Sequence, residues 1–203
     1  LKLRRNRVRS SFEKLQRDEF RQFNLNQQKA FLMNAYNFFT LELVDKHYPV
    51  TRILDIGGWF ISPFIKKFFV LFGKKRSLNN LEHDILRENY KDARVHFGVN
   101  CASQSCVNLP PDPLLAEKLD QQLKQQMHEF FSDRNKNYYN SKENSFHVSE
   151  IFDWFEDDFK WPPYKGLRSF LIDNMPIDQS VSKETLKKAK IKFIEYDWSL
   201  NKL

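Results

Sequence analysis

The longest hydrophobic segment of the chain is predicted to be a helix at the centre of the fold. Within residues 27–47, apolar side chains occupy nearly every face of a helix. A helix that is apolar all round belongs in the interior of a domain. Asn34 and Asn37 interrupt the segment on neighbouring faces of one turn. Because buried amides need hydrogen-bond partners, these asparagines either fix a neighbouring loop or line a site.

Helical periodicity also predicts helices before and after this segment. A thin apolar stripe predicts a polar helix over residues 10–23. Ser77 and Ser149 are predicted to cap the starts of two further helices. The helices predicted after the central one cover residues 78–89, 114–131, 150–159, 166–174 and 183–190.

Residues 59–72 combine aromatic and aliphatic side chains at helical spacing with a cluster of lysines. This pattern predicts a basic amphipathic helix. Such a helix either packs its apolar side on the core or lies on an anionic membrane surface.

Strand patterns are fewer and shorter. Residues 95–100 alternate between apolar and polar or small side chains, which is typical of a half-buried strand. A hairpin is predicted within residues 135–148, and the chain closes on a short strand-like piece at 191–201. The expected fold class is α+β, a mainly helical domain wrapped on a small β-sheet that includes residues 95–100.

Length and composition favour one domain over residues 1–203, with a core dominated by 20 phenylalanines. The basic run at 1–10 lacks a starting methionine and is expected to be a disordered or truncated boundary. Two cysteines argue against a disulfide-rich secreted fold. The net charge of +7 permits an anionic surface or protein partner, although solvated surface charge also explains it. The sequence has no phosphate loop, nucleic-acid motif or apolar stretch long enough to span a membrane, and no cofactor is expected.

Both cysteines fall in one short polar loop, which makes it the strongest candidate for chemistry. Cys101 and Cys106 follow a segment that contains His96, and His83 lies on the helix predicted just upstream. A cysteine nucleophile needs a base to accept its proton and donors to stabilise an oxyanion. Either cysteine could be the nucleophile and either histidine the base, which predicts a cysteine-dependent hydrolase or acyl transferase.

Amide and carboxyl groups complete the candidate site. Asn100 or Asn34 is the candidate oxyanion donor, and Glu82 accompanies His83. Neighbouring helical residues point about 100° apart, so Glu82 is not expected to orient His83. Asp157 and Asp158 are interpreted as surface acids rather than as the third member of a triad. The arrangement is similar to that of papain-like and transglutaminase-like enzymes, except that the candidate histidines precede the cysteines.

Two alternatives use the same side chains differently. Cys101 and Cys106 could form a structural or redox disulfide in a non-catalytic binding module. Together with His83 and His96, the same two cysteines could instead bind tetrahedral zinc. The wide spacing of the cysteines and the separated histidines make the zinc site the weaker of these hypotheses.

Several segments, spread in order over nearly the whole chain, resemble domain-of-unknown-function family 547. The matching segments are AFLMNAYNFFTLELVDKHYP (30–49), SLNNLEHDILR (77–87), ARVHFGVNCASQSC (93–106), VSEIFDWFEDDF (148–159) and YDWSLN (196–201). The residues onto which the family pattern carries over are Asn34, Asn37, Glu82, His83, Arg87, His96, Asn100, Cys101, Ser105 and Cys106. Val107 stands where the family usually has proline, so the loop geometry after Cys106 is expected to differ.

The resemblance implies little about activity, since the family is defined by unknown function. It implies that related domains are fused to leucine-zipper segments in plants, and elsewhere to redox or signalling domains. Bacterial members often look exported, so an exported location, periplasmic or extracellular, is favoured over a cytoplasmic one.

Overall fold

A computed structural model describes residues 2–57 and 61–201 of the chain. Its α-helices are α1 (Lys2–Lys14), α2 (Arg17–Arg21), α3 (Leu25–His47), α4 (Glu88–Tyr90), α5 (Val95–Gly98), α6 (Leu119–Ser132), α7 (Ile151–Trp154), α8 (Leu167–Asn174) and α9 (Lys183–Lys187). Its strands are β1 (Phe69–Leu71), β2 (Lys74–Arg76), β3 (Tyr138–Asn140), β4 (Ser145–Ser149) and β5 (Lys190–Ile194). A π-helix (Asn80–Arg87) runs into α4, and 3-10 turns cover Ile53–Gly57, Ala116–Lys118 and Glu156–Lys160. The predicted mainly helical α+β fold is confirmed.

The central helix α3 is the buried axis of one hydrophobic core, as predicted. It begins at a capping box, in which Asn24 and Gln27 each accept the other's backbone N–H at 2.9 Å. Leu32, Met33 and Phe39 are fully buried. The ring of Phe39 stacks on Phe69 of β1 with 3.9 Å between ring centroids, which fixes the β1–β2 hairpin against the helix.

A second core forms around a three-stranded sheet in which β4 is central. Strand β3 pairs with β4 in antiparallel register, and β5 pairs with β4 in parallel register. The predicted hairpin and the closing strand are therefore confirmed. The fully buried phenylalanines of this core are Phe97, Phe131, Phe146, Phe152, Phe159 and Phe170.

The predicted strand at residues 95–100 is wrong, because Val95–Gly98 form the short helix α5 and all four residues are buried. The backbone carbonyl of Asp92 accepts the Val95 N–H at 3.0 Å, and its carboxylate accepts the Arg94 N–H at 3.1 Å. A short apolar run that is buried on all sides does not distinguish a strand from a helix by its period. Gly98 is also required here, since a Cβ would meet the sulfur of Met33 at 2.5 Å.

The predicted amphipathic helix at 59–72 is also wrong. Trp59 and Phe60 lie outside the described residues, residues 61–68 form turns and irregular backbone, and β1 begins at Phe69. Phe72 and Gly73 have positive φ angles of 53° and 70°, which closes the tight turn between β1 and β2. The apolar side chains therefore reach the core from a hairpin, and the membrane-surface helix is not formed.

The chain forms helix α1 from Lys2, so helical structure begins earlier than the predicted start at residue 10. Ion pairs join Arg5 to Asp45 and Arg9 to the buried Glu42, so α1 is held along α3. Among the described residues, no helix is long and apolar enough to cross a membrane.

Candidate active site

A cavity of about 240 Å³ receives side chains from both cores. Five of the residues singled out in the sequence line it: Glu82, His83, His96, Cys101 and Cys106. Most of the remaining wall is apolar and aromatic, formed by Phe64, Ile65, Val99, Ile151, Trp154, Phe155 and Trp198. Enclosed apolar pockets with a few convergent polar groups are the usual form of a small-molecule site.

The cysteine loop is held in place by buried asparagines. The Asn37 amide donates to the Gly98 carbonyl at 2.9 Å and accepts the Asn100 N–H at 2.8 Å. Asn100 in turn donates to the carbonyl of Val107 and accepts the N–H of Ala102. Both amides thus form their hydrogen bonds with backbone groups on either side of Cys101.

Asn34 makes the same kind of contact elsewhere. Its amide pairs with the N–H and the carbonyl of Leu114, at 2.9 and 2.8 Å. Of the two roles left open by the sequence for Asn34 and Asn37, the structure shows loop fixation. Neither they nor Asn100 line the cavity, so the geometry does not place Asn34 or Asn100 where an oxyanion donor is needed.

Replacing Asn37 with alanine is expected to lower the free energy of unfolding by about 2–4 kcal/mol, because two buried backbone groups lose their partner. Urea unfolding monitored by circular dichroism measures the loss. The matched control is Asn89→Ala, which removes an exposed amide that bonds only within its own helix and is expected to change stability by about 0.5 kcal/mol or less. Equal stabilities of the two variants would contradict the buried role of Asn37.

Both cysteines are free thiols, so the structural disulfide raised as an alternative is not formed in this structure. The buried Cys106 sulfur accepts the backbone N–H of Cys101 at 3.0 Å. The half-buried Cys101 sulfur lies 3.1 Å from the hydroxyl of Tyr196. The pKa of Tyr196 is raised by burial and by both thiols, so the hydroxyl keeps its proton and can donate it to the Cys101 sulfur when that thiol is ionised.

The two thiols differ in acidity. Hydrogen bonding from the Cys106 thiol, aided by Tyr196 and opposed by burial, lowers the pKa of Cys101 to about 7. The same contact with Cys101, together with burial, raises the pKa of Cys106 well above its ordinary value. Because the thiolate is the nucleophilic form of cysteine, the arrangement favours Cys101 over Cys106 as the reactive sulfur.

Asp158, interpreted from the sequence as a surface acid, is buried beside His96. Its carboxylate accepts His96 Nε2 at 2.7 Å and binds Arg87 through two hydrogen bonds of 2.6 and 2.7 Å. Burial opposes ionisation, but the hydrogen bonds from His96 and Arg87 outweigh it and lower the pKa of Asp158. Asp157, by contrast, is exposed and pairs with Lys160. The surface interpretation is therefore wrong for Asp158 and correct for Asp157.

The ionised carboxylate fixes the tautomer of His96. A carboxylate can only accept, so Nε2 of His96 carries a proton, and in the neutral ring Nδ1 is the nitrogen with the lone pair. Phe155 stacks on the imidazole with 4.4 Å between centroids and also lies under the Arg87 guanidinium, which holds both groups in place. His96 is thus held in a fixed orientation by a buried carboxylate on one side and an aromatic ring on its face.

His83 has the same tautomer, although a different partner fixes it. Arg87 Nη1 lies 2.8 Å from His83 Nδ1, and a guanidinium can only donate, so Nδ1 accepts and the proton is on Nε2. Burial, followed by the charge of Arg87, lowers the pKa of His83 even though Glu82 opposes it, which keeps the ring neutral near pH 7. The Glu88 N–H donates to the His83 carbonyl five residues back, as expected for the π-helix. Such turns are frequent at functional sites.

Glu82 lines the cavity next to Tyr36. Burial is the main cause that raises the pKa of Tyr36, and the Glu82 carboxylate adds to it. Glu82 is not expected from the sequence to orient His83, and in the structure the hydrogen bond to the His83 ring comes from Arg87.

The zinc hypothesis receives no geometric support. Over residues 2–57 and 61–201, no three His, Cys, Asp or Glu side chains are grouped so that they could hold a metal ion together.

Fold and site together define an α+β protein whose buried cavity combines two thiols with two histidines of fixed tautomer. A family model described as "Protein of unknown function, DUF547" matches residues 20–131, more than half of the chain, so the chain belongs to this family. Comparisons with curated proteins and with solved structures gave no significant match. The matched region holds the histidines and the cysteine loop, whereas Asp158 and Tyr196 lie beyond it.

Proposed function

We propose that this protein is a cysteine-dependent acyl hydrolase or acyl transferase. Cys101 acts as the nucleophile, His96 as the base, and Asp158 orients His96. The observation that carries the proposal is the shared cavity, in which a thiol whose pKa is about 7 lies with a histidine that a buried aspartate holds. A catalytic triad is recognised by the geometry and the roles of its nucleophile, base and orienting acid. The order of these residues along the chain therefore does not argue against the proposal.

The reaction would proceed through a thioester. His96 Nδ1 takes the proton of the Cys101 thiol, and the resulting thiolate attacks the carbonyl carbon of the substrate. Collapse of the tetrahedral intermediate breaks the bond to the leaving group, which takes the proton from His96. Water, or another acceptor, then attacks the thioester while His96 removes its proton, and Cys101 is released.

His83 supplies the oxyanion donor that Asn34 and Asn100 do not supply. Its Nε2–H makes no hydrogen bond with any other described residue, and the ring lines the cavity that holds Cys101. A neutral imidazole N–H can donate to a developing oxyanion without giving up its proton, and Arg87 fixes the tautomer that allows it. The two histidines therefore have separate roles, one as base and one as donor.

The proposal predicts a covalent acyl-enzyme on Cys101. With p-nitrophenyl acetate and a reducing agent present, release of p-nitrophenol is expected to rise with pH and to reach half its maximum near pH 7. The reason is that the pKa of Cys101 lies near 7 rather than at the ordinary value for cysteine. Mass spectrometry of the acid-quenched, digested protein is expected to place the acetyl group on Cys101.

Cys106→Ala is the matched control for this measurement. The substitution removes the hydrogen-bond donor that contributes most to lowering the pKa of Cys101, so the midpoint is expected to move to higher pH while acylation still occurs. Acylation only at lysines, or a midpoint in the wild type near the ordinary cysteine pKa of about 8.5, would contradict the proposal.

A further inference from the structure

The charge of the cavity is opposite to that of the chain. The chain carries a net charge of +7. Among the described residues that line the cavity, Glu82 is the single carboxylate and none is lysine or arginine. An acidic group in an otherwise apolar pocket has a stronger field than on the surface, because little water screens it.

Glu82 has no cationic partner within the described part of the chain. The guanidinium on the same helical segment, Arg87, is occupied by Asp158 and His83. The Glu82 carboxylate interacts with the neutral hydroxyl of Tyr36, whose pKa is raised by burial and by this carboxylate. A half-buried carboxylate is normally paired with a cation. The Glu82 carboxylate is therefore suited to bind a cationic group that a ligand brings.

Aromatic rings form another part of the cavity wall. Trp154, Tyr196 and Trp198 pack against one another with ring centroids 4.6 to 5.6 Å apart, and all three line the cavity. The faces of indole and phenol rings attract ammonium groups, most strongly where water is excluded. The Tyr196 hydroxyl also lies 3.1 Å from the Cys101 sulfur, so this aromatic wall adjoins the proposed nucleophile.

We propose that the cavity recognises a cationic substrate, an acyl compound with an ammonium group held between Glu82 and the aromatic wall. This inference rests on the proposed function, which supplies the acyl chemistry at Cys101. The volume of about 240 Å³ is below the usual range for drug-sized ligands, so only the ammonium head and the acyl group are enclosed. The rest of the substrate lies outside the cavity.

The test compares two probes of equal length, n-butylammonium and n-butanol, for their ability to protect Cys101 from iodoacetamide. Protection is followed by mass spectrometry, and binding by the fluorescence of the tryptophans. The ammonium is expected to bind wild-type protein about tenfold more tightly than the alcohol, since a charged hydrogen bond is stronger than a neutral one. If both probes protect Cys101 of the wild type equally, the inference is overturned, and no variant is needed to show it.

Glu82→Gln is expected to remove the preference for the ammonium. The matched control is Asp84→Asn, which removes the same charge from an exposed carboxylate two residues away that bonds to Asn80 and does not line the cavity. The control is expected to keep the tenfold preference. A Glu82→Gln variant that folds and retains the preference would also contradict the cation site.

Failure of this inference can be told apart from failure of the proposed function. Ammonium binding without any acyl-enzyme on Cys101 would support the cation site and reject the enzyme. An acyl-enzyme that forms without any preference for the ammonium would reject the cation site alone.

Discussion

Replacing Cys101 with alanine is expected to lower the rate of acyl hydrolysis by about a thousandfold or more, to the rate of the uncatalysed reaction in the same buffer. Without the sulfur no thioester forms. The measurement is p-nitrophenol release at pH 8, where the Cys101 thiol of the wild type is largely ionised.

Folding must be checked alongside this activity. The Cys101 side chain is half-buried and its sulfur contacts Tyr196, so the loss of one sulfur atom is expected to cost about 1 kcal/mol of stability. Circular dichroism and urea unfolding separate that small change from the loss of turnover. If the Cys101→Ala protein is folded and hydrolyses the ester as fast as the wild type, Cys101 is not the nucleophile.

The helical part of the fold was predictable because its segments are long or clearly periodic. Residues 27–47 are apolar on nearly every face, and the structure forms helix α3 over almost the same range. The stripe on residues 114–131 likewise forms α6. One of the errors concerns a short segment that is buried on all sides. Residues 95–100 are buried between helices α3 and α6, and they show the same alternation of apolar with polar or small side chains that a half-buried strand would show.

The candidate site was predictable where its residues are close in sequence. Cys101, Cys106 and His96 fall within eleven positions, and all three line the cavity. Asp158 lies 62 positions after His96 and Tyr196 lies 95 positions after Cys101, so only the tertiary fold brings them together. Helical periodicity could still have identified Asp158, because it follows the inward-facing Phe155 by three residues and so lies on the same face.

Replacing Asp158 with asparagine is expected to lower turnover by about 10²–10⁴-fold, the usual contribution of an oriented base. An asparagine can present its NH₂ group to His96, which would favour the tautomer with the proton on Nδ1 and leave no lone pair facing the substrate. The substitution also leaves the guanidinium of Arg87 without its ionic partner, which is expected to cost about 3 kcal/mol of stability. Turnover of the ester and urea unfolding measure the two effects.

The pH dependence of stability distinguishes this buried acid from its exposed neighbour. The pKa of Asp158 is lower in the folded protein than in the unfolded chain, where it is about 3.9. Its contribution is therefore complete above the unfolded pKa and is lost as the pH falls through the folded value. The gap in stability between wild type and Asp158→Asn is expected to be widest near pH 7 and to narrow below pH 4.

Asp157→Asn removes the same charge from the adjacent exposed position and is expected to change stability by about 0.5 kcal/mol or less at either pH. A gap that stays constant from pH 7 to pH 3 would show that the Asp158 carboxylate does not act through its charge, and the orienting role proposed for it would fail with that result.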